Sequence, residues 1–298
     1  MKKVFLSLFI IVGAVLTLAS CNKKQEKKID RFDDMTVNMS YQALSSIKML
    51  EVKDEFNSVK KLSAVKSEIN TSDKEVIDRY MKMMEELLDD NGGFQTAIKN
   101  SDKAEYTNLI EITTSTIDKE KIVYSLYYNE TIVNTIVEED ETETIKKING
   151  IAVVGKKEYL LEGSIKEEIE DLETETDSTF KIIEDELNYV IVKEEKEIEG
   201  AEYEHGYKYT IVSDGKKVNE VEFEIEQEDN ELSIELKEKS IDSKTSYKFK
   251  KIEEKGTKYF KIEVKNGTKV SKIKVHVVLD TKTNTYNYEY EYIERNDK

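Results

Sequence analysis

The chain has 298 residues, 63 of them acidic and 46 basic, with a formal net charge of -17 at pH 7. That balance argues against nucleic acid, whose phosphates call for basic patches; it also repels an anionic lipid surface, so the folded part is expected to project from a membrane rather than lie on it. One cysteine, no proline and no tryptophan leave no disulfide framework, so a packed core must hold the fold.

Lys2 and Lys3 precede an uncharged apolar run, residues 4–18, which is shorter than the ~20 residues a bilayer span needs. Leu18, Ala19, Ser20 and Cys21 follow, matching the lipobox position by position, and residues 1–20 resemble the signal peptide of bacterial lipoproteins. The resemblance implies signal-peptidase recognition through Leu18, Ala19 and Ser20, cleavage before Cys21, and lipidation of the Cys21 thiol with palmitate-type chains. Two or more acyl chains anchor stably where one does not. The expected location is extracytoplasmic and lipid-anchored to the cell membrane, or to the outer membrane in an organism with two. Loss of Lys2 and Lys3 with the signal leaves the mature chain two charges more negative, at -19. The scarcity of arginine, at Arg31, Arg79 and Arg295 only, reads as codon bias of an AT-rich genome.

Residues 21–29 read as the lipidated cysteine and a polar tether. Residues 30–104 read as a helical segment. Ser72 with Glu75 forms a capping box, after which Val76, Ile77, Tyr80, Met84, Leu87 and Leu88 recur at helical spacing until Gly92 and Gly93. Leu44, Ile47 and Leu50, then Phe56, Val59, Leu62, Val65 and Ile69, predict one long helix or two shorter ones upstream. Met81, Met83 and Met84 suit core packing better than an adaptable binding face.

From 105 to 298 the period changes to two. Val221, Phe223 and Ile225 alternate with glutamates, and Leu232-Ile234-Leu236, Ile273-Val275-Val277-Leu279 and Tyr286-Tyr288-Tyr290-Tyr292 behave likewise, each predicting a strand with one core face. Asn149-Gly150, Asp214-Gly215 and Asn266-Gly267 predict hairpin turns. Residues from Asp214 align without gaps on those from Asn266 at an offset of 52, which also places Tyr207 on Tyr259; Asn149 is read as the start of a third, more worn copy. The fold class expected is α+β: N-terminal helices packed on a large, curled antiparallel meander, as a half-barrel or a barrel. Its shape is similar to the half-barrel with helical lid of lipoprotein carriers, a likeness of fold that does not settle function.

Catalytic patterns are lacking. His205 is expected in a turn and His276 on the outer face of a strand, neither near a free cysteine, and there is no HExxH or GxSxG. Ser63 and Lys66 fit SxxK, yet lysine is common enough to produce that spacing by chance. The acidic clusters at 138–141 and 167–175 lack EF-hand spacing. No catalytic residue, metal or cofactor is therefore assigned, and no enzymatic activity is expected. Tyr286, Tyr288, Tyr290 and Tyr292, with apolar bodies and polar tips, are the residues expected to touch a ligand or partner if any do. The functional expectation is a surface-exposed, non-enzymatic binding or interaction module, held to the membrane by its lipid and meeting an unknown protein. The alternative is a carrier of an apolar small molecule or lipid between sheet and helices.

Overall fold

The computed structural model describes residues 34–54, 71–90, 93–170, 173–199, 202–228, 231–239, 244–282 and 285–296. The signal segment with Cys21, the tether, the helical run from Phe56 to Ile69 and the Ser63/Lys66 motif lie outside these residues.

The period-two alternation produces a single sheet of fourteen antiparallel strands, each hydrogen-bonded to its neighbours in chain order. They are β1 Gln95–Asn100, β2 Asn108–Ser115, β3 Lys121–Val137, β4 Glu141–Val154, β5 Lys157–Glu170, β6 Glu173–Ile183, β7 Tyr189–Glu199, β8 Glu202–Ser213, β9 Lys216–Glu228, β10 Glu231–Lys239, β11 Lys244–Glu254, β12 Thr257–Asn266, β13 Lys269–Asp280 and β14 Thr285–Asn296. Two helices precede them among the described residues, α1 Met35–Glu51 and α2 Thr71–Leu87. The antiparallel meander is thus as the alternation predicts, while helix is a smaller share. β1 lies inside the stretch read from sequence as helical. Ser72, expected to cap α2, falls within it, and its side chain lies outside those described.

Asp34 caps α1, its Oδ1 accepting from the Thr36 amide at 2.7 Å. Every residue of α1 from Asn38 to Leu50 is buried, polar ones included. A helix resting on a flat sheet buries one stripe, so α1 is surrounded. α2 adds Ile77, Tyr80, Met81, Met83, Met84 and Leu87 to the same core.

Two successive residues of α2 show how far the sheet rolls. Tyr124 of β3 donates to Glu86 Oε2 at 2.5 Å, and Tyr288 of β14 hydrogen-bonds Glu85. In a flat sheet, eleven strand spacings would separate β3 from β14 by about 50 Å; adjacent side chains cannot span that, so the sheet curls until both margins meet one helix. Between the margins, Arg79 pairs with Glu238 of β10 at 3.1 Å and Asp90 with Lys251 of β11 at 2.9 Å. The sheet is not closed, since β1 and β14 do not pair.

The turns correct part of the sequence reading. Asp214-Gly215 forms the β8–β9 hairpin with φ of 51° and 71°, and Lys255-Gly256 forms β11–β12 with 52° and 78°, as type I′ geometry requires. Asn149-Gly150 is not a turn: it lies inside β4, Gly150 opposite Tyr128, and the chain reverses at Gly155 instead. Gly150 is needed for close approach, because a Cβ there would stand 2.0 Å from the Tyr127 carbonyl oxygen. The third repeat copy therefore begins at no hairpin. In the other two copies Phe223 and Val275 both face the core, but Tyr207 pairs with Phe223 whereas Tyr259 pairs with His276. A register irregularity at Ile211/Val212 puts these tyrosines on opposite faces.

Candidate functional site

β7 carries the decisive departure from pattern. Val190 and Val192 face the core, and so by alternation do Glu194, Lys196 and Ile198, both charged residues being buried. Register then assembles polar rows on the inner face. Glu194 lies between Ser178 of β6 and Tyr207 of β8, and Lys196 between Thr176 and His205. Glu167 of β5 stands beside Thr176.

The Glu194 carboxylate is fully committed. Gln42 donates to Oε2 at 2.7 Å and Ser178 at 2.7 Å; Asn38 donates to Oε1, and His205 Nε2 lies 2.8 Å from the same oxygen. Asn38 in turn accepts from Tyr207. The side chains of His205 and Glu194 are 4 % and 1 % exposed. His205 is thus in a strand facing inward, not in a surface turn, and its burial with a carboxylate partner explains why. The first two turns of α1 supply the amides that pay for placing Glu194 there. Behind them Ser45 bonds Tyr209 at 2.8 Å, and burial keeps the Tyr41 and Tyr209 hydroxyls protonated far above the ordinary phenol range.

In front of this network is a cleft of about 220 Å3. Its apolar wall is Met35, Met39, Ile165, Phe180 and Ile198; its polar wall is Glu167, Thr174, Thr176 and Lys196, with Asn38, Gln42, Ser178 and Glu194 behind. The side chains of Glu167, Thr174 and Thr176 make no hydrogen bond or ion pair among the described residues.

A second buried polar group joins the helices. Glu86 pairs with Lys48 at 2.7 Å and accepts from Tyr124, whose hydroxyl is held protonated by burial and then by that carboxylate. It is a cross-link within the core.

Tyr288, Tyr290 and Tyr292 of β14 stand opposite Val277, Val275 and Ile273 in register. Tyr288 and Tyr290 pack on the core, Tyr288 bonding Glu85 and Tyr290 donating to Asp78. Tyr292 is 39 % exposed; the side chain of Tyr286 lies outside those described. The structure does not bring Tyr288, Tyr290 or Tyr292 to the cleft. His276 faces outward as expected, 3.6 Å from Glu291.

The acidic clusters seen in sequence become two rows on the outer face. Glu141, Glu170 and Glu173 oppose one another directly across three strands, and Glu143, Glu168, Glu175 and Glu197 form the next row across four. Repulsion, from Glu168 first, raises the Glu141 carboxyl, and Lys166 relieves the second row through Glu168 at 2.7 Å and Glu143 at 3.3 Å. Among the described residues no group of three or more His, Cys, Asp or Glu could hold a metal ion, and no helix is long and apolar enough to cross a membrane.

No known family, curated protein or solved structure matches this chain.

Proposed function

We propose that this chain is a membrane-anchored, extracytoplasmic lipoprotein acting as a non-enzymatic binding module, with the cleft beneath the start of α1 as its binding site. The observation that carries this reading is the cleft itself, where Glu167, Thr174 and Thr176 present polar groups without partners among the described residues. Convergent polar groups in a concavity are the usual mark of recognition. The buried carboxylate–imidazole pair, Glu194 with His205, has its carboxylate fully hydrogen-bonded, which favours a supporting over a catalytic role. The fold reading that fits is a half-barrel with α1 and α2 packed inside it.

The carrier alternative has less support. Leu44, Ile47, Tyr80, Phe223 and Phe249 are at most 1 % exposed, so the interior resembles a close-packed core, and the cleft is half polar. Met35 lines the cleft and stands fourteen residues beyond Cys21, so a fully extended tether would keep the cleft within about 50 Å of the lipid.

Two measurements test the proposal. Fatty-acid labelling should mark the wild-type protein and not Cys21→Ser; label retained on the serine variant defeats the anchor. Native mass spectrometry of protein extracted from its own membrane should show a small polar adduct that disappears in Thr176→Trp, which fills the cleft. A fatty acid in that place, or an adduct indifferent to the tryptophan, would contradict the site.

A further inference from the structure

The cleft carries its charges in an order that selects among small polar ligands. Glu167, Thr176 and Lys196 are consecutive members of one inner row. Two strand spacings put the backbones of Glu167 and Lys196 about 10 Å apart, close enough for both side chains to lean over Thr176. They form no ion pair with each other: Glu167 has no polar partner among the described residues, and Lys196 has an interaction elsewhere within the protein. An anionic and a cationic group are thus held apart across a hydroxyl, in a space smaller than the 300 Å3 or more that drug-sized ligands occupy.

We infer that the cleft binds a small zwitterion of the α-amino-acid class, its ammonium on Glu167, its carboxylate beside Lys196, and its side chain against Met35, Met39, Ile165 and Ile198. A simple amine would satisfy Glu167 while facing Lys196 with like charge. A simple carboxylate would do the reverse. An acyl chain would bury the carboxylate of Glu167 and the Thr174 hydroxyl without partners. A ligand with both charges on one carbon and an aliphatic or thioether body meets every wall. Lys196 keeps its existing contact, so the ligand carboxylate joins that contact and Glu167 supplies the larger part of the selectivity.

This rests on the cleft being the binding site. The test is calorimetric titration of the full-length, detergent-solubilised protein with L-leucine and L-methionine, each compared with its N-acetyl and methyl-ester derivative. One free amino acid should bind saturably, once per chain; the N-acetyl form should bind roughly tenfold or more weakly, since it leaves the Glu167 carboxylate unpaired, and the methyl ester should bind more weakly because it gives up the charge contact that the ligand carboxylate adds at Lys196. Glu167→Gln, checked for folding by circular dichroism, should weaken the free amino acid by a similar factor and abolish the discrimination against the N-acetyl form while leaving that against the ester. Absence of saturable binding by either amino acid, or equal binding of free and blocked forms, would overturn the inference. If both fail while the native adduct of the wild-type protein still disappears in Thr176→Trp, the ligand class is wrong and the binding site stands.

Discussion

Glu85 is a buried carboxylate whose burial is only partly compensated. It is 6 % exposed, and Oε1 has no hydrogen-bond partner among the described residues. Burial raises its carboxyl from 4.5 to about 7, the Tyr288 hydroxyl and Lys251 opposing and Asp118 and Glu86 adding. The folded state therefore holds the proton more tightly than the unfolded chain. Its contribution to stability is fully present below about pH 4.5, declines as pH rises, and is lost above about 7, a change of up to about 3 kcal/mol. Glu85→Gln should flatten this decline, and urea titrations of both proteins from pH 4.5 to 8 measure it; parallel slopes would mean that Glu85 is solvated. Phe223 and Val275 offer a second test at this scale, both being fully buried. Either residue changed to Asp should cost several kcal/mol by burying an unpaired charge, whereas Glu224→Ala should stay within about half a kcal/mol.

At the scale of elements, glycine distinguishes what sequence can and cannot reveal. Asp214-Gly215 and Asn149-Gly150 read alike, yet the first turns the chain and the second lies in β4 under the Tyr127 carbonyl. The difference depends on strand approach, which one strand's sequence does not contain. Gly163 is similar: a Cβ there would meet the Phe180 ring at 2.4 Å, the ring covering a glycine on the neighbouring strand. Gly150→Ala should therefore destabilise by about 1 to 3 kcal/mol or more, as overpacking does. Gly206→Ala, with nothing within 4 Å, should be neutral or gain a few tenths. Thermal melts of the two variants compare them directly, and equal midpoints would refute the close approach. Alternation made the strands around Phe223, Leu236 and Val275 legible, and helical spacing made α2 so. The same alternation hid the cleft: Glu194, Lys196 and His205 have the residue types of a solvated face, and only the register against Val190 and Val192 turns them inward. A visible trace existed, since Ile198 resumes the apolar series beyond Lys196 on β7. The tyrosines of β14 attracted attention because four recur at period two, but Tyr288 and Tyr290 are occupied in holding α2.

For the whole molecule, charge and curvature act together. The curl of the fourteen strands puts glutamate rows on the outer face of β4 to β7 and leaves a cleft at the start of α1. The net charge of -17 fits the proposed display outward from a membrane. Directly opposed glutamates across β4 to β7 weaken pairing there, while α1 and α2 pack on the core. The proposed binding role rests on that polar cleft and not on the apolar core between sheet and helices. The most direct measurement is titration of the non-lipidated protein, starting at Asn22, with an uncharged apolar fluorophore in its native state. The expected result is no saturable signal below the unfolding transition, with Tyr288→Ala lowering stability and leaving the titration unchanged. Saturable binding near one probe per chain, weakened by Tyr288→Ala without unfolding, would contradict the assignment and make the interior between sheet and helices the site of an apolar ligand.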